Sequence, residues 1–488
     1  MNPGMFCGRI GFIRKMGGRC LTAIRKIADR YIGTKAFYLS VVALLVPMVI
    51  QQGITQFVNL LDNVMVGRLG TAPMSGVAIV NQIIFIFNLT LFGGMSGASI
   101  FGAQYYGKGD LEGLRNTLRF RLLFAIAAGA LGILALICFG DSFFMLFLHA
   151  DASTPEEIAA TLSYARSYMW IMLWGLLPFA LSSCFSSVLK DTGETFIPMV
   201  ASVISIAVNL ALNYLLIFGS FGFPQMGVAG AALATVIARY IEAVYLIFES
   251  FRHKAKFSFM KGALKSLRVP LPLVKRIAIT GTPLMLNESL WSIGVSMIQA
   301  CYATRGLAAV AASNINGTAF NLFSLLMMAM GNAVAILVGQ QLGANDMDGA
   351  KGTVRKLIAF GVAVNVGMGL LLILCAPLIP MIYNTEANVR HLATMMLMIS
   401  GAFLPLSAFT NCAYFTIRSG GRTFITFLFD CVFTLAVCLP VALILSRFTT
   451  LSLPWLFFFV QCVDNGLKPI IGGIMLKSGI WAKNVVNA

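Results

Sequence analysis

The sequence predicts an all-α membrane protein: twelve transmembrane helices in two six-helix lobes, related by a pseudo-two-fold axis along the membrane normal. Three observations carry this. The 488 residues are 58% hydrophobic and 11% charged, with mean hydropathy +0.86, whereas soluble domains carry about 25% charged residues. Apolar segments of roughly 20 residues or more, the length a bilayer requires, recur along the whole chain. The first half of the chain is also repeated in the second.

Hydropathy with Gly, Pro and charge breaks places spans near 38–66, 74–106, 118–140, 163–189, 196–219 and 227–251. Six more follow near 276–303, 307–342, 357–383, 390–417, 423–447 and 453–477. Spans 2 and 8 exceed the roughly 20 residues needed and imply tilt or protrusion. The organisation is then a basic tail (1–37), an N-lobe (38–251), an inter-lobe loop (252–275) and a C-lobe (276–488).

The net charge of +17 is a topology signal. Basic residues crowd the tail (Arg9, Arg14, Lys15, Arg19, Arg25, Lys26) and the central loop (Arg252, Lys254, Lys256, Lys261, Lys265, Arg268). Loops after even-numbered spans are basic, including Lys108, Arg115, Arg119, Arg121, Lys351, Arg355, Arg418 and Arg422. Loops after odd-numbered spans hold only isolated bases and an acidic patch at Asp151, Glu156 and Glu157. Lys and Arg mark the cytoplasmic side, so both termini are expected there, in a multi-pass protein of the cell membrane. No nucleic-acid motif accompanies the charge, and the tail lacks the apolar core of a secretory signal. The ten cysteines form no C-x-x-C pair or framework and the three histidines no ligand cluster, so neither disulfides nor a metal are expected.

GAQYYGKGDLEGLRNTLRF at 102–120 is repeated as GQQLGANDMDGAKGTVRKL at 339–357. Gln104/Gln340, Gly107/Gly343, Asp110/Asp346, Gly113/Gly349, Thr117/Thr353, Arg119/Arg355 and Pro47/Pro283 share one offset. LPFALSSCF at 177–185 answers LPLSAFTNC at 404–412, and the turn DTGETF at 191–196 answers SGGRTF at 419–424. Corresponding loops lie on the same side, so each repeat has an even number of spans. Substrate is expected between the lobes.

Span 1 carries the sharpest functional signal. Gln52, Gln56, Asn59 and Asn63 recur at helical spacing, with Asp62 beside the last. A carboxylate deep in a bilayer costs about 2.5–3.5 kcal/mol, so it faces a polar cavity in preference to lipid. Span 7 repeats the pattern with Glu288, Ser292, Ser296 and Gln299, and span 11 with Thr423, Thr426, Asp430 and Thr434. Span 5 offers Ser202, Ser205, Asn209 and Asn213; span 8 offers Asn314, Thr318, Asn321 and Ser324.

Bland readings stand beside these. Polar stripes can be interhelical hydrogen bonds, and Gly93-x-x-x-Gly97 close helix packing. Glu242 and Arg239 read as a structural pair, and Asp464 and Lys468 as an i,i+4 pair. Asp62, Glu288 and Asp430 have no base in their own spans. Arg166 is one candidate partner, and only it and Arg239 read as bases well inside spans. A carboxyl in a low-dielectric cavity takes up a proton more readily than in water; with amide oxygens it can instead hold a small hard cation. Acids among Phe and Met also suit lipophilic cations.

At this point the chain resembles the multidrug and toxic-compound extrusion (MATE) transporters, prokaryotic type, over most of residues 38–480. PMVIQQGITQFVNLLDNVMVGRLG at 47–70, GAQYYGKGD at 102–110, GVAGAALATV at 227–236, GTPLMLNESL at 281–290 and GQQLGAND at 339–346 carry the resemblance. It implies an antiporter with V-shaped lobes that exchanges Na+ or H+ for organic cations. By the same resemblance Asp62 matches the coupling acid of the first span, Asn209 the span 5 asparagine beside it, Thr235 a span 6 contributor and Glu288 the acid of the seventh span. Asn213 stands where some members have a second aspartate, which weakens Na+ binding and leaves H+ open. The expectation is therefore a monomeric multidrug efflux antiporter in contact with membrane lipids, without a cofactor beyond the coupling ion and without enzymatic activity. Ion coupling falls to Asp62, Asn209, Asn213 and Thr235; Glu288, Asp430, Gln52, Gln56 and Asn59 form substrate or second acidic positions. A flippase for lipid-linked saccharides is the alternative, and would need bases inside the cavity.

Overall fold

A computed structural model describes residues 30–147 and 155–487; most of the basic tail, and Asp151 of the acidic patch, lie outside them. The N-lobe is α1 (Lys35–Gly67), α2 (Thr71–Lys108), α3 (Leu111–Phe147), α4 (Pro155–Asp191), α5 (Phe196–Phe218) and α6 (Val228–Arg252). The C-lobe begins with α7 (Leu271–Ala303), α8 (Leu307–Phe323), α9 (Leu325–Gly343), α10 (Met347–Cys375) and α11 (Ala387–Ser419). It ends with α12 (Thr423–Phe427), α13 (Leu439–Phe448), α14 (Leu453–Cys462) and α15 (Lys468–Ser478). Among the described residues, ten helical stretches are long and apolar enough to cross a membrane, Thr423–Phe448 counting as one. α7, with Lys275, Arg276 and Glu288, and the α14–α15 rod complete the twelve spans.

Three departures from the expected spans have local causes. Span 8 is two helices, α8 and α9, meeting at Ser324. Span 9 stops at Cys375 and passes into the short 3-10 turn Ile379–Ile382; Pro377 and Pro380 lack the donors to continue it. Spans 11 and 12 contain π turns at Leu428–Val432, Thr434–Cys438 and Val463–Leu467. Matched prolines lie inside matched helices: Pro47 in α1 and Pro283 in α7, Pro178 in α4 and Pro405 in α11.

The repeat is visible in atomic detail where the lobes meet. Asp110 caps α3 by accepting from the Gly113 amide at 2.8 Å, and Asp346 caps α10 by accepting from Gly349 at 2.9 Å. Backbone packs on backbone reciprocally: Gly107 abuts Gln340, and Gly343 abuts Gln104. The glutamines mirror each other as well. Gln104 donates to the Ser419 carbonyl at 2.9 Å and Gln340 to the Asp191 carbonyl at 2.7 Å. On α2, a Cβ at Gly97 would lie 2.5 Å from Gly281 Cα, and one at Gly93 2.6 Å from Met285 Cα. Glycine is required there because α2 and α7 touch at their axes.

The C-terminal segment tightens the same seam. Val485 donates to Gln104 at 2.7 Å, and its carbonyl accepts from Arg276. Val485 and Val486 bury against α2 and α7. Loop residues after α6 are held under α3, where Arg115 and Arg119 donate to the Phe259 and Ala263 carbonyls at 3.1 and 2.9 Å. Apart from the Gly93 and Gly97 contacts, which lie further along α2 and α7, these contacts fall at the end of the bundle that carries the central loop and the C-terminus. That end is closed.

Candidate functional site

A cavity of about 710 Å3 lies between the lobes and runs from this closed end toward the opposite face. α1 contributes Gln51, Gln52, Thr55, Asn59 and Asp62 to its wall; α5 contributes Ser202, Ser205 and Asn209, and α6 Thr235, Arg239 and Glu242. Asn332, Phe415 and Arg418 belong to the C-lobe wall. The amide stripe of α1 is not centred on the cavity. At 100° per residue the cavity face, through Gln51, Thr55 and Asp62, is rotated about 90° from it. Gln56 and Asn63 are consequently exposed and outside the lining, whereas Gln52 and Asn59 remain on its edge.

Four of the predicted residues come together. The Asn213 amide donates to the Asp62 carboxylate at 2.7 Å and to Asn209 Oδ1 at 3.1 Å. Asn209 in turn donates to the Thr235 hydroxyl at 3.3 Å, which donates to the Ala231 carbonyl at 3.0 Å. Asp62 is partly buried and has no ion pair among the described residues. Asn213 is 1% exposed and its Oδ1 has no partner among the described residues, a free acceptor one group away from the carboxylate. The cluster is an oxygen-lined pocket around a single negative charge.

Other predicted positions are elsewhere. Asp430 is not a free acid: Lys468, from the opposite end of the sequence gap between spans 11 and 12, reaches it at 3.2 Å, as does Asn287. The same lysine binds Asp464 at 2.8 Å, and Asn287 also touches the Tyr414 hydroxyl. The π turns place Asp430, Thr434 and Asp464 around this ammonium, so the C-lobe cluster is an internally satisfied network. Glu288 is next to Asn287, partly buried, outside the cavity lining and within electrostatic reach of Arg418 and Asp430. In span 8 the Thr318 and Ser324 hydroxyls turn back on their own helix.

Two expected pairings also change. Arg166 binds Asp141 at 2.8 Å on an exposed surface, far from Asp62 in its contacts. Glu242 accepts from Ser202 at 2.8 Å, and Ser202 accepts from Gln51 at 2.7 Å. Arg239 instead stacks over Phe179 at 4.8 Å, and the two form no ion pair. Bases are more numerous inside than the sequence suggested. Arg121 lies within α3, fully buried and paired with Asp191, and Lys190 and Arg418 line the cavity. By sequence Arg121 and Arg418 belong to the basic loops after even-numbered spans, Lys190 carries no signal of its own, and only the alignment of DTGETF with SGGRTF, which makes Asp191 and Ser419 equivalent, hints that these ends meet.

Two pseudo-symmetric six-helix lobes around a polar cavity, sealed at one end, define a multi-pass membrane transporter. The chain belongs to the MatE family, whose model matches residues 47–215 and 283–445. It is 25% identical over 430 residues to the probable multidrug resistance protein NorM of Thermotoga maritima, covering 87% of this chain and 89% of the relative. It is 26% identical over 411 residues to the probable multidrug resistance protein YoeA of Bacillus subtilis, covering 84% and 87%. Among solved structures, an outward-facing MATE transporter of the MOP superfamily superposes with a TM-score of 0.80. It covers 91% of this chain and 96% of that one at 19% identity, a likeness of fold.

Proposed function

We propose that this chain is a secondary active multidrug efflux antiporter of the cytoplasmic membrane. It exports amphipathic organic cations in exchange for H+ or Na+, with both termini cytoplasmic. The observation that carries this reading is Asp62, a carboxylate in the wall of an inter-lobe cavity, held by an amide and, among the described residues, by no base. The names of the curated relatives support the drug class. With the basic loops in the cytoplasm, the closed end is the inner one and the cavity opens outward, the conformation from which substrate leaves.

Exchange follows from competition for one charge. An ion arriving from outside neutralises Asp62, so the charge-assisted bond from Asn213 weakens and the unpartnered Asn213 Oδ1 becomes available to the proton or cation. A cationic substrate loses its counter-charge and dissociates. In the inward-open state the substrate displaces the ion by the same linkage, which is reciprocal. Each chain holds both lobes and the whole cavity, so the working unit is the monomer.

Ethidium efflux from cells expressing Asp62→Asn tests this. The expected loss is roughly tenfold or more, equivalent to about 1.4 kcal/mol of coupling; wild-type efflux by the variant rejects the assignment. The flippase reading gains one observation, the bases Lys190, Arg239 and Arg418 in the cavity wall. A polyanion would also meet Asp62 and Glu242, neither of which is ion-paired among the described residues, so efflux of cation-bearing molecules is retained.

A further inference from the structure

We infer that the closed end of the cavity binds the acidic group of the exported molecule, so that amphoteric amphiphiles bearing a carboxylate, sulfonate or phosphate are preferred substrates. This rests on the efflux reading and narrows it. Arg418 of α11 and Lys190 of α4 enter the cavity from opposite lobes at its inner end. Arg418 is 6% exposed, yet its Nη1 has no hydrogen-bond partner among the described residues. Its guanidinium is packed between the Phe92 and Phe415 rings, 5.8 and 5.2 Å from their centroids. The Lys190 ammonium has neither an ion pair nor a hydrogen bond among the described residues.

The acid beside them is committed. Asp191 is paired with the fully buried Arg121, whose own Nε and Nη1 are unpartnered among the described residues. Glu288 forms no ion pair with Arg418. Lys190, half-buried, is within electrostatic reach of Glu242, and Arg418, buried, of Asp191 and Glu288. Yet neither base is ion-paired among the described residues, and a base buried without a contact partner is unfavourable unless an anion joins it. Ser186 lines the same stretch and supplies a hydroxyl donor for a planar or tetrahedral oxyanion. Glu242, held by Ser202 of α5, lies in the same cavity, so a zwitterion can set its acid on Arg418 and Lys190 and its cationic centre against the acidic wall.

The test is binding to the purified full chain, followed by fluorescence, of a fluoroquinolone zwitterion, its methyl ester and ethidium. Wild type is expected to prefer the zwitterion to the ester by about tenfold, the contribution of one hydrogen bond between charged groups. Arg418→Gln and Lys190→Met should abolish that preference, and Arg418→Lys should keep most of it, which also controls for folding. An ester bound as tightly as the acid, or a preference unmoved by both variants, overturns the inference while ethidium binding leaves the efflux reading standing. Binding of none of the three compounds defeats the efflux reading itself. Inorganic sulfate that occupies the site more tightly than the drug assigns it to a free anion and overturns the substrate assignment.

Discussion

Asp62 and Asp430 look alike in the sequence and differ in the molecule because of what their neighbours supply. Asp62 receives an amide from Asn213; Asp430 receives an ammonium from Lys468, 38 positions away. Removing that ammonium leaves two acids without a counter-charge. Lys468→Met is therefore expected to destabilise the protein by about 3 kcal/mol, the lower range for breaking a buried pair, read as a lowered melting temperature in detergent. Asp430→Asn keeps the Lys468–Asp464 pair and should cost much less. Asn213→Asp adds a second carboxylate to the Asp62 pocket and is expected to shift transport toward Na+ dependence, measured as flux against Na+ concentration. Asp62 was legible because an acid in an apolar span is costly unless it has a polar place to go. The partners of Asp430 were not, since a tertiary ion pair between two helices leaves no mark on the spacing within either. Arg418 was hidden for a related reason, since a base at a helix end reads as topology, and only the meeting of the ends turns it and Lys190 into cavity wall.

Elements carry the repeat, and they also break it. The reciprocal contacts of Gly107 with Gln340 and Gly343 with Gln104 pin α2 to α9 around the pseudo-axis, and Gly93 and Gly97 let α2 lie against α7. A branched side chain there wedges the lobes apart. Gly97→Val is expected to cost about 1–3 kcal/mol as overpacking and to depopulate the closed inner end, measured by spin-label distances across α2 and α7. An unchanged distance distribution would mean that this contact does not hold the lobes together. The matched motifs made the two halves readable, and the helix caps at Asp110 and Asp346 follow directly from them. Asymmetry was harder to see. The π turns of spans 11 and 12 interrupt runs such as LFDCVFTLAVC whose apolar pattern is that of an ordinary helix, and the break at Ser324 falls at the end of a polar stripe whose helical spacing reads as one continuous span. Packing around Lys468, absent from α5 and α6, is the distinguishing environment.

For the whole molecule, one closed end and one open face require that the seam part during transport. Gly339 faces Ala103 so closely that an added Cβ would lie 3.0 Å from the alanine methyl, near disulfide range. In a cysteine-free background, an oxidised Ala103→Cys, Gly339→Cys pair should lock the inner end and stop efflux, with recovery on reduction; continued efflux while cross-linked would rule out opening at this seam. Composition and loop charge made the class and the lobes legible at this scale. The closed state itself was not, because it depends on contacts between residues hundreds of positions apart, such as Gln104 with Ser419 and Val485. What joins the scales in the proposed function is Asp62, which there converts an ion gradient into a bias between the two openings. The most direct test is drug flux in proteoliposomes under an imposed pH gradient and, separately, an imposed Na+ gradient, for wild type and Asp62→Asn. One gradient should drive flux in the wild type and neither in the variant; undiminished gradient-driven flux through Asp62→Asn contradicts the account.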